Sequence, residues 1–464
     1  MLPWHARSAF WLSHVVACSH STTQMLVFYR MPILCTSMGW LWVGNMLFCS
    51  RCGIGVCSLL KLIPPTVDKA VESAEDLGAL QTAVRTTAAF TAALAAVLFL
   101  RTWGDPLVSG SARPFYQALL HPFGAHAALL GLLFCPAKVG YPEARWRMCK
   151  ILLRTVAAPT RHVAFEDIMF ADCLTSMARG LSALEVLFCL SHVPQAEPTY
   201  GKHVMVLHPH CSSTLLAVMM AAPYWWRLQQ CLRRYADTQD AFPHLVNALK
   251  YCTAFPLIIV DRFGTIFVAN KLLTQSEQQR LWFACNLLNG TYCFVWDVTM
   301  DWGLSAEMGF GIALCTAVGL QLGHGAAGIG LLPGLGGGLV GGLMLSYALS
   351  GKFCRCSGGR SWGKHAPVAA TKTDPWLTAG LSGPMSSPSF FAGAVSLNLV
   401  IRMLWVLRLV RLPAWFPEPG VTALVFEVLE LCRRSLWINL RLAWEQLERE
   451  LIISTTCHHL ASEL

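Results

Sequence analysis

The chain has 464 residues, of which 55% are hydrophobic and only 13% charged, and its formal net charge is +9. Soluble domains carry roughly a quarter charged residues, so an ordinary soluble domain is excluded and a membrane protein is indicated. At roughly 20 residues per crossing the length allows about ten spans with short loops, an all-α polytopic transmembrane helical bundle.

The positive balance fits basic loops facing an anionic leaflet, or an anionic substrate. Nucleic acid is not an expected partner, because the cations are scattered among apolar runs instead of forming one basic tail. Most of the 19 cysteines sit inside apolar runs, as Cys173, Cys285 and Cys293 do, where cysteine behaves as a small hydrophobe. Cys49-Ser-Arg-Cys52 and Cys354-Arg-Cys356 have no His or Cys partner at zinc-finger spacing. Free thiols are expected, with no metal and no other cofactor.

Residues 1 to 24 have an apolar middle, but His5, His14 and His20 spoil a clean signal peptide, and Met25 is an alternative start. A first span is expected from Leu26 to Phe48, with Arg30 near its beginning. A polar linker (Asp68 to Asp76) leads to a second span, Thr86 to Leu100, closed by Arg101. A third, about Ala118 to Cys135, ends at Pro136. Lys138, Arg145, Arg147, Lys150 and Arg154 follow, interleaved with Trp146, Met148, Ile151 and Leu152. That pattern predicts an amphipathic helix on the cytoplasmic surface.

The next span, opening near Arg161 and running to about Leu190, carries Asp172 inside its helix, Thr175 and Ser176 one turn on, and Glu185 further along. A lone buried Asp is protonated or paired; facing arginines, it can stay ionised. Another span, about Val204 to Trp226, runs into a stretch holding Arg227, Arg233, Arg234, Lys250 and Tyr251. Cations beside or inside an apolar body mark a functional site or a membrane-edge anchor. The sequence after Lys250 is apolar to Val260 and broken by Asp261-Arg262. A further span, Leu281 to Val295, ends in Trp296-Asp297-Val-Thr-Met-Asp301-Trp-Gly-Leu304. Four residues apart, Asp297 and Asp301 share one helical face, which requires cations or water nearby; Asp301 as a mere cap of the span is the alternative.

Residues 305 to 385 combine a glycine-dense apolar run with a polar segment and contain no phosphate loop. Gly334, Gly338 and Gly342, at spacing four, suit close helix packing; a low-complexity insertion or a gene-model artefact is the alternative, and no chemistry is assigned to the region. Pattern resumes from Phe390 to Leu409 with Asn398, Arg402 and Trp405. The last span, Val421 to Trp437, contains Glu430-Leu-Cys-Arg433-Arg434-Ser-Leu-Trp437.

Three of these motifs carry a family resemblance: Phe165-Glu-Asp with Ala171-Asp-Cys-Leu-Thr-Ser176, the Trp296 to Leu304 stretch, and Glu430-x-x-Arg-Arg-x-x-Trp437. They resemble the EXS domain, the membrane domain of eukaryotic phosphate exporters and of fungal Golgi proteins. The likeness is strong over 138–304, good over 390–450 and only outlined over 1–137; 305–389 reads as an insertion and 451–464 as a tail. Arg402 and Trp405 match an Arg and a gating Trp of the exporters, whereas Asn398 stands where relatives often carry an acid. Ala443 and Trp444 also depart from the animal pattern. Nothing before Leu26 supplies the soluble SPX domain of the larger exporters.

The resemblance implies transport of inorganic phosphate and no enzymatic activity. Its site is expected at Asp172, Thr175, Arg227, Lys250, Tyr251, Asp297, Arg402, Glu430, Arg433 and Arg434, with Trp405 as gate. Guanidinium forks replace the hydration shell of phosphate well, and carboxylates keep such a site weak enough for the anion to leave. The main cations and acids are expected to line one internal cavity; the bland alternative is ion pairing that only locks helices together. A Golgi adaptor that retains or recycles glycosylation enzymes is the other functional reading. Expected partners are phosphate, the lipid bilayer and a second copy in a homodimer, in a Golgi, endomembrane or plasma membrane.

Overall fold

An apolar chain in lipid must satisfy each backbone N–H and C=O internally, and helices do so within one segment. The computed structural model follows this rule. It describes residues 29–60, 69–103, 126, 134, 141–182, 184, 213–304, 306–325, 334, 337, 338, 341, 383–409 and 419–463, and no strand occurs among them. Twelve α-helices are described: α1 (Arg30–Cys52), α2 (Val56–Leu59), α3 (Lys69–Trp103), α4 (Pro142–Val156), α5 (Phe165–Ser176), α6 (Ser213–Thr238), α7 (Ala241–Cys252), α8 (Ala254–Ala269), α9 (Gln275–Trp296), α10 (Ala306–Gly325), α11 (Pro388–Arg402) and α12 (Pro419–Glu463). Four described segments are long and apolar enough to cross a membrane: Arg30–Cys52, Val71–Leu100, Ala241–Ala269 and Ser389–Leu409. Residues 1–24, most of the expected third span, Glu185 and most of the 305–385 insertion lie outside the described residues.

Several boundaries differ from the sequence reading. The polar stretch after Asp68 is helical from Lys69 onward, and Asp76 within it accepts the backbone N–H groups of Val56 (3.2 Å) and Cys57 (2.8 Å). Those amides open α2 and have no partner inside their own helix, which gives a capping use to a residue that looked like linker. Asp261-Arg262 does not break the chain either: α8 runs through it, with Arg262 donating to Asp261 at 2.6 Å. The last span and the expected tail are one 45-residue helix. Within the insertion, α10 packs beside the chain at Gly334 and Gly338, where a methyl on Gly338 would stand 2.6 Å from the Cys315 carbonyl oxygen. Those glycines permit the close approach that their spacing suggested.

The basic stretch forms α4 over Pro142–Val156, the helix expected there; Lys138 lies outside the described residues. Its Trp146 and Leu153 are exposed, while Arg147 reaches Glu166 at 2.7 Å and Arg154 reaches Asp167 at 2.8 Å. Glu166 and Asp167 sit in the first turn of α5, where the helix dipole also favours negative charge. α9 starts with a capping box: Glu277 N–H donates to the Thr274 hydroxyl, and Thr274 N–H donates back to the Glu277 carboxylate.

α9 ends in a π-turn, Asp297–Asp301, in which Trp302 N–H bonds to the Asp297 carbonyl at 3.0 Å. Phe294, Val298 and Trp302 from this end, Leu399 and Met403 from α11 and its exit, and Trp437 and Leu440 from α12 form the main core. The core fixes α9, α11 and α12 against one another, and the site is built on those three helices together with α5, α6 and α7. Gly303 follows at φ +61°, and a Cβ there would overlap the indole of Trp444. Left-handed backbone costs a side chain about 1–2 kcal/mol and overpacking about 1–3 kcal/mol. Gly303→Ala should therefore destabilise the folded protein by about 2–5 kcal/mol, read as a lower melting temperature in detergent. Gly44→Ala on α1, with nothing within 4 Å of the added methyl, should be neutral or mildly stabilising.

Candidate functional site

The site grows from two carboxylates on helix walls, each surrounded by guanidinium groups. Asp172, buried on α5, accepts from Arg227 Nε on α6 (2.9 Å) and from the Tyr251 hydroxyl on α7 (2.8 Å). Arg227 Nε also donates to the Tyr251 oxygen at 3.0 Å and its Nη1 to Gln230, one turn along the same helix. Gln230 in turn donates to the Asp167 carbonyl at 3.2 Å, tying the network to the first turn of α5. Arg233 and Arg234 of the same basic stretch do not join: Arg233 pairs with Asp237 at 2.8 Å and Arg234 is exposed.

The second carboxylate is Asp297, at the start of the π-turn. Its Oδ2 accepts from Arg402 Nη2 (2.5 Å), Arg433 Nη1 (3.3 Å) and Asn398 Nδ2 (3.3 Å). Arg433 Nη1 also reaches the Asn398 carbonyl oxygen at 3.2 Å. Asn398, where an acid was a plausible occupant, therefore bridges acid and base as a neutral group. On its other edge Arg433 forks onto Glu430 at 2.7 and 2.6 Å. Asp301, one step beyond on the π-turn, accepts from the Trp437 indole at 3.0 Å. The two acids thus do face one neighbour: Asp297 meets Arg433 and Asp301 meets Trp437, four residues apart on α12.

Ser176 and Thr175 join the two networks. Ser176 donates to Glu430 at 2.8 Å and accepts from Arg434 Nε at 2.9 Å. Thr175 accepts from Arg434 Nη2 at 3.2 Å and donates to the Asp172 carbonyl at 2.7 Å. Arg434 also lies over the Trp437 ring, 4.6 Å from its centre.

Two cations stand out. Arg434 is buried with only hydroxyl and ring partners. Lys250, 6% exposed, has its ammonium 4.6 Å from the Tyr251 ring centre and 5.2 Å from that of Trp296. Neither forms an ion pair among the described residues. Burying a charge without an opposite charge is costly, and aromatic faces offset only part of that cost. Five cations (Arg227, Lys250, Arg402, Arg433, Arg434) face four carboxylates (Asp172, Asp297, Asp301, Glu430), so the cluster carries an excess of positive charge.

The expected single cavity is not what the structure holds. A cavity of about 230 Å³ is lined by Thr175, Ser176, Tyr224, Arg402, Trp405 and Glu430, with Arg179, Asp261, Trp282 and Arg408 further along. Asp172, Arg227, Lys250, Tyr251, Asp297, Arg433 and Arg434 do not line it. Ion pairs and ring contacts have closed the space around them, so they lie behind its inner wall. Trp405 stands in the cavity wall, edge-on to Trp282 (5.7 Å between ring centres) and Phe283 (5.5 Å). Arg402 Nε and Trp405 Nε1 are buried donors without a hydrogen-bond partner among the described residues, and both residues line the cavity.

Sequence reasoning missed Gln230, Tyr224, Trp282 and the Asp261–Arg408 contact. Gln230 was findable, because it lies three residues after Arg227 on one helical face. Asp261 and Arg408 had the general signal of charges in apolar segments, but nothing in the sequence pairs them.

The sequence matches the EXS family over residues 25–447. It is 36% identical over 197 residues to a xenotropic and polytropic retrovirus receptor 1 homolog of Xenopus laevis, covering 40% of this chain and 28% of that protein. The Danio rerio homolog of the same name is 35% identical over 196 residues, covering 40% and 27%. Solute carrier family 53 member 1 of Homo sapiens is 31% identical over 195 residues, again 40% and 27%. The matched stretch thus spans little more than a quarter of these relatives. The chain belongs to the EXS family and is an integral membrane protein.

The Asp297 node makes a stability prediction. Arg433→Met would leave Asp297 and Glu430 short of a buried partner, a change worth about 3–5 kcal/mol, measured by thermal denaturation in detergent. Arg449→Met removes a partly exposed pair with Glu445 (3.1 Å) and a bond to the Leu59 carbonyl (3.2 Å), and should cost only about 1–2 kcal/mol. Equal losses would mean that the buried node is no stronger than a surface pair.

Proposed function

We propose that this member of the EXS family carries inorganic phosphate across its membrane along the wall where α5, α6, α7, α9, α11 and α12 meet. The observation that carries the reading is the buried excess of positive charge, with Lys250 and Arg434 lacking carboxylate partners. A divalent or monovalent oxyanion would supply the missing charge. Hydroxyls at Thr175, Ser176 and Tyr251 add the neutral donors that a tetrahedral anion takes alongside guanidinium forks. The name solute carrier on a related protein agrees with transport, and the family resemblance agrees with phosphate.

In this reading Asp172, Asp297 and Glu430 hold the cations when the anion is elsewhere and keep binding weak enough for release. The anion takes guanidinium edges from the carboxylates step by step. Arg402 is the hand-over point, since it touches both the Asp297 node and the cavity. Trp405 lines the same wall three residues further on and acts as the gate.

Arg402→Lys tests this, because it keeps the charge and removes the planar fork. Each charge-assisted hydrogen bond lost costs about 1.5–3 kcal/mol, so phosphate flux from vesicles holding the purified protein should fall at least about tenfold. Protein recovered in the membrane should be unchanged. Arg280→Lys, an exposed position on α9, serves as control. Equal loss in both, or none in either, would remove Arg402 from the pathway and leave the adaptor reading in its place.

A further inference from the structure

The charges at the far end of the cavity are not used by that pathway. Asp261 on α8 is a shared acceptor: Arg262 donates to its Oδ2 at 2.6 Å, the Trp282 indole to its Oδ1 at 3.2 Å, and Arg408 Nη1 lies 3.5 Å from Oδ1. Arg408 is in the 3-10 turn after α11, six residues past Arg402. A second, more open hollow of about 210 Å³ lies beyond, lined by Asp261, Gln278, Gln279, Trp282, Arg408 and Leu409. Asp261, Trp282 and Arg408 line both spaces. They form the partition between them, and Trp282 in turn leans on the gate Trp405.

Position along the bundle is set by α5. Asp167 meets Arg154 of α4 at one end, Ser176 lines the cavity nine residues further on, about 13 Å at the helical rise, and Arg179 lies past the turn at Met177 that ends the helix. Arg179 is exposed, makes no ion pair among the described residues, and lines the same cavity as Arg408. Two guanidinium groups in one cavity wall, beside Asp261 and a Glu427 already paired with Arg30, are a natural seat for an anion. At 3.5 Å and 39% side-chain exposure, Arg408 is the loosest of the three donors on Asp261. It can leave that carboxylate at small cost.

We infer that Arg408 and Arg179 form an outer oxyanion station, with Asp261 as the internal competitor that holds Arg408 when no anion is present. The ligand class is a phosphate-type oxyanion. This inference rests on the transport reading and adds a second binding step on the side of the bundle away from α4. An anion bound there would release Arg408 from Asp261, loosening the partition around Trp282 next to the gate.

Substituting the two partners separates this from a purely structural ion pair. Breaking a structural pair from either side gives the same effect, whereas a competitor and a binder give opposite ones. The half-saturating phosphate concentration for flux should rise about fivefold in Arg408→Gln, between the values for exposed and buried charged contacts. Arg408→Lys should recover part of it, and Asp261→Asn should move it below that of the unsubstituted protein. Equilibrium binding of radiolabelled phosphate to the detergent-solubilised protein is measured alongside, in the same variants. Flux with both variants shifted the same way, or neither shifted, overturns the station and leaves the transport reading standing. Binding weakened by Arg408→Gln in a protein that moves no phosphate sinks transport and keeps the station; neither flux nor binding overturns both. Vesicles of phosphatidylcholine alone and with added phosphatidylglycerol identify the source of the oxyanion. An Arg408→Gln effect seen only with phosphatidylglycerol would assign the seat to a lipid headgroup and overturn the free-anion station.

Discussion

A guanidinium group does not give up its proton inside a protein, so an arginine folded into a lipid-embedded bundle must find negative charge or polar acceptors there. That requirement organises this molecule. Arg402 and Arg433 come from different helices, and both end on the same oxygen of Asp297. α9, α11 and α12 are thereby held at one point, and the surrounding Trp302, Trp437 and Leu399 fill the space that this geometry leaves. Polar and apolar packing are consequently one problem. A shift of α11 that broke the Arg402 contact would also pull Leu399 and Met403 out of the core.

The π-turn at the end of α9 is the local device that makes the node work. An extra residue per turn offsets Asp297 and Asp301 from an ordinary helical ladder, and such bulges are common at functional sites. Here it aims one carboxylate at Arg433 and the other at Trp437, and then releases the chain into the left-handed turn at Gly303. The Trp-Asp-x-x-x-Asp-Trp-Gly-Leu wording therefore encodes a backbone shape as well as a charge pair: Trp302 fills the core and the glycine lets Trp444 pass.

Much of this was legible in the chain. Charges in apolar segments are costly, and together with the family motifs that signal nominated Asp172, Arg227, Lys250, Asp297, Arg402, Glu430, Arg433 and Arg434, which the structure brings into two joined networks. An amphipathic pattern placed α4, and an apolar run placed most of α9. What could not be read was which cation meets which acid, since that depends on distances between helices hundreds of residues apart. For the same reason one shared cavity was expected where a smaller one ends at Arg402 and Glu430. Asp261-Arg262 looked like a break because the sequence does not show that Arg408 and Trp282 satisfy Asp261. The stretch Asp68 to Asp76 looked like linker because the amides that Asp76 caps, those of Val56 and Cys57, lie in another segment.

The account rests on Lys250 being a buried ammonium whose opposite charge arrives with the transported anion. The most direct measurement is saturable phosphate flux from vesicles containing the purified protein, compared with Lys250→Met, a substitution that keeps much of the chain length and apolar stem. If the account is right, the intact protein carries phosphate, and the variant folds at least as stably, because an uncompensated buried charge has been removed, yet loses nearly all flux. A Lys250→Met protein that moves phosphate as fast as the intact one, or that loses stability instead of flux, would show that this lysine serves the fold and not the anion.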